Sequence, residues 1–253
     1  MPPVVRLLPP PRAPAEPPAR PGRLPLDGGA IDAALNGGLA LAGCHEIYGP
    51  AGTALALMLA LAAPRPGPIL WVAAPFGDEG RLYGAGIADL GGDPARLWWV
   101  AAGKPIDMLR AAAEAQRCAA LACVVVEAGS AAAVDLTVTR RLQLAAAASG
   151  VFTLLVRAGP PRPSAALTRW RARAAPARRL AGNAPGPPRL ALTLERQRGG
   201  PADIEHELEW DRDRRRFLPA DRDLRVPQRL PVGAAFGRRA TPHPGAAPAM
   251  AAG

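Results

Sequence analysis

Residues 31–56 read IDAALNGGLALAGCHEIYGPAGTALA, and the fold is decided there. A short β-rich run at 45–48 meets the breakers Gly49-Pro50-Ala51-Gly52, and an apolar, alanine-rich run at 53–63 then ends at Pro64. Strand, tight turn and helix in that order open an α/β layer. A turn of this kind that cradles phosphate needs Gly-x4-Gly-Lys-Ser/Thr. Its backbone amides hold phosphate oxygens, its lysine neutralises charge and its hydroxyl holds magnesium. Counted from Gly49, the last three places are filled by Ala54, Leu55 and Ala56. The lysine and the hydroxyl are both missing, so hydrolysis by the usual route is not expected. Gly49, Pro50, Gly52 and Thr53 remain as a degenerate nucleotide loop whose helix start could offer amides to an anion. The plainer reading is a tight strand-to-helix turn.

Working outward, the same alternation repeats. Strands are expected at 69–73, 97–100, 123–127 and 151–156, and helices at 81–90, 106–120 and 135–149, each ended by Gly, Pro or a small polar residue. Five β-α steps in order predict a doubly wound, mostly parallel α/β sheet. Runs at 190–195 and 204–210 bracket Arg198-Gly199-Gly200-Pro201 and predict a C-terminal antiparallel hairpin. Both chain ends are proline-rich, with 10 of the 31 prolines in residues 1–26 and 6 more in 219–253. Few large apolar residues lie between them, so these ends are read as disordered tails around a core at 27–218. A basic, Pro/Arg-rich loop is expected inside that core at 157–188.

The net charge of +10 comes from 30 Arg and a single Lys, Lys104, against 21 acids. Heavy use of Ala, Gly, Pro and Arg together discounts that charge as a nucleic-acid signal; its distribution says more. Residues 157–198 hold ten Arg and one Glu, a net +9. Three cysteines exclude a disulfide framework, and no pair of Cys or His has metal-ligand spacing, so no metal is expected. No apolar run approaches the ~20 residues of a membrane span, and residues 1–25 lack the apolar run of a signal peptide. A cytoplasmic protein is expected.

Within the arginine-rich segment, Arg162, Arg169, Arg171 and Arg173 surround Trp170 with no acid among them. That pattern could follow a phosphate backbone while the indole stacks on a base; the alternative is a solvated loop whose tryptophan packs on the sheet. Glu127 ends the strand at 123–127, and the strand at 69–73 runs on without a carboxylate until Asp78 and Glu79. Arg140 and Arg141 stand near the start of their helix, the end a helix dipole makes unfavourable for cations. They point to a salt bridge with Asp135 or a sheet acid, or to a partner. Leu224, Leu230 and Phe236 are apolar residues in an otherwise unfoldable tail, which suits a segment that orders on a partner. His45, within a strand, reads as a core residue rather than a catalyst.

Residues 31–56 resemble the approach to the nucleotide loop of RecA recombinases. A closer resemblance, to the ImuA family of RecA-like proteins, spans about residues 30–218. It is carried by HEIYGPAG at 45–52, ILWV at 69–72, LYGAG at 82–86 and LGGDPARL at 90–97. RRLQLA at 140–145, SGV at 149–151, SAALTRWR at 164–171 and LEW at 208–210 complete it. The resemblance implies a non-catalytic adaptor in the SOS response, supporting error-prone translesion synthesis. Its implied partners are a Y-family-like polymerase subunit without polymerase activity and an error-prone C-family DNA polymerase, with RecA and DNA as further candidates. No cofactor is expected. In RecA-type ATPases the position of Glu127 orients magnesium. Two alternatives stay open: an atypical ATPase acting on DNA with Glu127 as its magnesium ligand, and a regulator like the SOS cell-division inhibitors. The loop after Ala73 and the region 178–188 match the family loosely, so no contact is carried over there.

Overall fold

A computed structural model describes residues 22–26, 29–74, 82–128, 134–159, 162–178, 180–181 and 184–220. The tail residues Leu224, Leu230 and Phe236, and Asp78 and Glu79, lie outside them. In chain order the elements are β1 (Arg23–Leu24), α1 (Ala30–Ala34), β2 (Leu39–Ala40), β3 (Cys44–Tyr48), α2 (Gly52–Ala62), β4 (Ile69–Ala73), α3 (Gly84–Asp89) and β5 (Leu97–Ala101). There follow α4 (Pro105–Ala115), β6 (Cys123–Glu127), α5 (Leu136–Ser149), β7 (Phe152–Arg157), β8 (Thr168–Ala175), β9 (Arg189–Gln197), β10 (Ile204–Asp211) and β11 (Arg216–Pro219).

The main sheet has nine strands in the order β11-β10-β9-β8-β3-β7-β6-β4-β5. β5, β4, β6, β7, β3 and β8 run parallel, and β9, β10 and β11 then fold back antiparallel. The expected hairpin is therefore part of a four-stranded meander grafted onto the parallel half. β1 and β2 form a separate two-stranded ribbon. Leu24 and Leu26 are buried, so the core begins before residue 27.

Two apolar layers flank the sheet. On one face α2 packs with Ile47, Trp71, Val125, Leu154, Trp170, Leu192 and Trp210. Leu55 through Leu61 of α2 are all buried, as a helix apolar on every side must be. On the other face α4 and α5 cover Val72, Val124, Val126 and Leu155. α5 begins as its sequence dictates: the Asp135 carboxylate caps it by accepting the Val138 N–H at 2.8 Å. It ends at Gly150 in the left-handed conformation, φ 73°. α4 stops at Ala115 instead of residue 120, and the chain then turns back through Gln116, whose buried amide donates to Leu142 O and Thr153 Oγ1.

The expected basic loop is corrected by β8. Residues 168–175 alternate: Thr168, Trp170 and Ala172 are buried, while Arg169 and Arg171 are half-buried and Arg173 is exposed. Period-2 alternation between an open parallel edge and β9 makes this segment a strand. A buried relay fixes it against β3. The His45 ring places Nε2 2.8 Å from the Ala40 carbonyl, so Nε2 carries the hydrogen and Nδ1 accepts from the Thr168 hydroxyl at 2.7 Å. That hydroxyl oxygen accepts the Trp170 indole N–H, also at 2.7 Å.

Burial lowers the His45 pKa from 6.5 to about 4, partly countered by its bond to the Ala40 carbonyl. The folded chain holds the ring neutral, so between those values the unfolded chain binds the extra proton. Stability is complete above about pH 6.5 and falls as pH drops towards 4, by ~3 kcal/mol from this group. Urea unfolding at pH 7.5 and 4.5 should show His45→Gln less stable than the unaltered chain at the higher pH, with the gap narrowing at the lower. An equal gap at both would remove His45 as the source.

Candidate functional site

The site at the carboxyl ends of the parallel strands is built around the turn from β3 to α2. Gly49 leaves β3 with φ 98°, a conformation that glycine adopts without strain. A Cβ there would lie 2.5 Å from the Ala172 carbonyl oxygen. β8 runs past the end of β3 and lies against the turn. Its Ala172 oxygen accepts the Ala51 N–H at 3.2 Å, and Gly52 N–H donates back to Gly49 O at 2.9 Å. Two amides of the kind a phosphate loop turns towards its ligand are thus bonded to the protein's own carbonyls.

The three replaced positions follow suit. Leu55 and Ala56 are buried in the core, at 1% and 0% exposure, and Ala54 is half-buried. Leu55 points into the packing between α2 and the sheet. Thr53 Oγ1 donates to Glu127 Oε1 at 2.7 Å, and the Trp71 indole N–H donates to Glu127 Oε2 at 2.8 Å. Both oxygens of the acid at the magnesium position are therefore engaged by neutral donors. Among the described residues, no group of three or more His, Cys, Asp or Glu stands where it could hold a metal ion. The structure brings Gly49, Gly52, Thr53 and Glu127 to one end of the sheet. Ala172 and Trp71, which close the site, were not foreseen.

Trp170 packs on the sheet, the alternative given for this segment, and Arg169 and Arg171 face acids of neighbouring strands. Trp170 is 1% exposed and its N–H is committed to Thr168, so it has no free face for a base. Arg169 and Arg157 of β7 both clasp the buried carboxylate of Glu46, Arg169 Nε at 3.0 Å from Oε2 and Arg157 through Oε1. Arg169 also donates to the Arg162 carbonyl. Arg171 Nε lies 3.5 Å from Glu195 on β9, and its guanidinium 3.9 Å from Glu205 on β10. Glu195 accepts the Tyr48 hydroxyl as well. Burial first, and that hydrogen bond next, raise the Tyr48 phenol to about 12. Of the arginines proposed to touch DNA, Arg162 and Arg173 are exposed, and Arg171 is partly exposed but faces Glu195 and Glu205. Arg140 and Arg141 are exposed on α5 and do not reach Asp135, whose carboxylate is the helix cap. Glu46, a lone acid among buried strand residues, was the missed signal: such a charge requires partners, and here it takes two.

The mostly parallel nine-stranded sheet, with the self-bonded β3–α2 turn at its carboxyl edge, defines a RecA-like α/β fold. Among solved structures, the RadB recombinase aligns with 96% of its chain and 76% of this one, at TM-score 0.53 and 16% identity, a likeness of fold. No family model matches the sequence. Protein ImuA of Caulobacter vibrioides is 34% identical over 190 residues, in both strain NA1000 / CB15N and strain ATCC 19089 / CIP 103742 / CB 15. The match covers 65% of this chain and 73% of the relative. The chain belongs to the ImuA family.

Three substitutions test the closed turn. Glu127→Ala leaves the Trp71 indole N–H and the Thr53 hydroxyl without their acceptor and should cost about 1–3 kcal/mol in denaturant unfolding. An acid kept only for magnesium would leave stability unchanged. Gly49→Ala should cost about 2 kcal/mol or more, from positive φ and the Ala172 oxygen together. Gly52→Ala, whose Cβ would meet Ile47 and Val156 at 3.6 and 3.7 Å, should be nearly neutral. Equal losses at both glycines would contradict the geometry.

Proposed function

We propose that the chain is a non-catalytic, RecA-like adaptor of the SOS mutagenesis system. It would support error-prone translesion synthesis by joining a Y-family-like subunit to a C-family polymerase in the cytoplasm. Membership of the ImuA family supports the place in that system. The observation that carries the adaptor role is the filled turn. Ala51 and Gly52 amides are bonded internally, Leu55 is core, and Glu127 is held by Thr53 and Trp71. A sheet that keeps its packing while its phosphate loop is closed retains surfaces rather than chemistry.

The reading is tested by co-purifying tagged full-length chain with the two polymerase subunits of the same organism, at moderate salt, with and without ATP. Capture independent of nucleotide is the expected result. Capture only with ATP would restore the nucleotide reading, and capture of neither subunit would overturn the adaptor role. Isothermal titration with ATP and magnesium should show no saturable heat; one nucleotide bound per chain would argue for the atypical ATPase.

A further inference from the structure

α5 is fixed to the sheet by one side only. Thr139, Leu142, Gln143 and Ala146 are buried. Gln143 Oε1 accepts the Cys44 N–H at 2.8 Å, and Thr139 Oγ1 accepts the Ala165 N–H at 3.0 Å. An exposed ridge at i, i+4 and i+8 carries Leu136, Arg140 and Leu144, with Arg141 beside it; Leu136 is 51% and Leu144 59% exposed.

A helix face made only for water is polar and mixes charges of both signs. This one does neither, for α5 contains no acid at all. On α4 and just past its end, exposed cations have neighbours one turn away: Arg110 lies 3.5 Å from Asp107 and Arg117 3.4 Å from Glu114. Arg140 and Arg141 make no ion pair or hydrogen bond among the described residues. Asp135, the nearest acid in sequence, is committed to the Val138 N–H. Both arginines also sit in the half of the helix where the dipole opposes a cation.

The neighbouring helix extends the same surface. β5, β6 and β7 run parallel through their pairing with β4 and with each other, so the intervening α4 and α5 run in the same direction on one face. Their first turns therefore lie at the same end of the sheet, and Ile106 of α4 is 51% exposed there, as Leu136 is on α5. Two cations without partners among the described residues and three exposed aliphatic side chains thus lie in one helical layer, on the side of the sheet away from α2.

We infer that the outer face of α5, together with the first turn of α4, docks an acidic amphipathic helix of a partner protein. Carboxylates of the partner would meet Arg140 and Arg141, and its apolar stripe would cover Leu136, Leu144 and Ile106. A phosphodiester backbone would satisfy the arginines but leave the leucines in water, so the mixed chemistry favours protein. The inference rests on the adaptor reading and names the surface through which it operates.

The test uses full-length chain and the purified Y-family-like subunit, measured by titration on a sensor surface. Arg140→Glu with Arg141→Glu should weaken binding by about tenfold or more. Leu144→Ser should weaken it independently of salt. Because these residues hold nothing in the fold, circular dichroism and thermal midpoint should not change. A photo-crosslinking residue at position 144 should capture an acidic peptide of that subunit. Binding of the unaltered chain that persists unchanged in the double variant would overturn the surface while leaving the adaptor role intact. A crosslink to a neutral or basic peptide, or to a second copy of this chain, would overturn the assigned occupant. Loss of oligo-dT binding with capture of the subunit retained would reassign the face to nucleic acid. No binding by the unaltered chain would remove the adaptor reading and this surface with it.

Discussion

One carboxylate holds the two halves of this sheet together. Glu46 lies in the middle of β3 at 1% exposure, and both of its oxygens face guanidinium groups, Arg157 on β7 and Arg169 on β8. Removing one member of such a buried group strands a charge in low dielectric, which costs about 3–5 kcal/mol. The strand pairing cannot be altered without that cost. Across the sheet, the relay from Ala40 through His45 and Thr168 to Trp170 holds the same pair of strands from the other face. β8 is thus fixed in parallel register with β3 from above and below, although the strand that follows it is antiparallel. The seam between a doubly wound sheet and a meander is where register would otherwise be easiest to lose.

That register has a consequence one turn further on. Because β8 pairs with β3 through Tyr48 and then continues, its Ala172 carbonyl arrives where the β3–α2 turn presents its first amides. The turn can then close only with glycine at position 49. The departure from a phosphate-loop pattern is thus not confined to residues 54–56. A lysine at position 55 would have to leave a core that Leu55 now fills, and the Ala51 amide would still face a carbonyl. Glu127, held by Thr53 and Trp71, now joins the N-terminus of α2 to β4 and β6.

The parallel half was legible because its signals are local. Apolar runs of five residues, glycine or proline at their ends and alanine-rich helices between them each need only a few neighbours to be read. β8 was not legible by the same signs, since its segment is flanked by prolines and weighted with arginine. The alternation Thr168, Trp170, Ala172 against Arg169, Arg171, Arg173 was present all along. It was outweighed because arginines without nearby acids in sequence suggest a solvated or phosphate-facing loop. Their acids are Glu46, Glu195 and Glu205, which come from other strands, and pairing across a sheet leaves no mark on linear spacing. The same limit applies to the site. Gly49, Thr53 and Glu127 could be named from motif position, whereas Trp71 and Ala172 act through contacts that only the register creates.

The fate of those arginines changes what the net charge of +10 means. A positive chain attracts polyanions only with the cations it leaves uncompensated on its surface. In the segment with the greatest excess, Arg157 and Arg169 are turned inward on Glu46, and Arg171 and Arg189 face acids of β9 and β10. Composition therefore overstates the field outside β8, because β10 places the carboxylates Glu205 and Glu207 on the same side of the sheet. α5, with far fewer arginines, leaves both of its own unpaired among the described residues, beside exposed leucines. The place where this chain offers charge to another molecule is set by which cations the fold leaves unspent, not by where the sequence concentrates them.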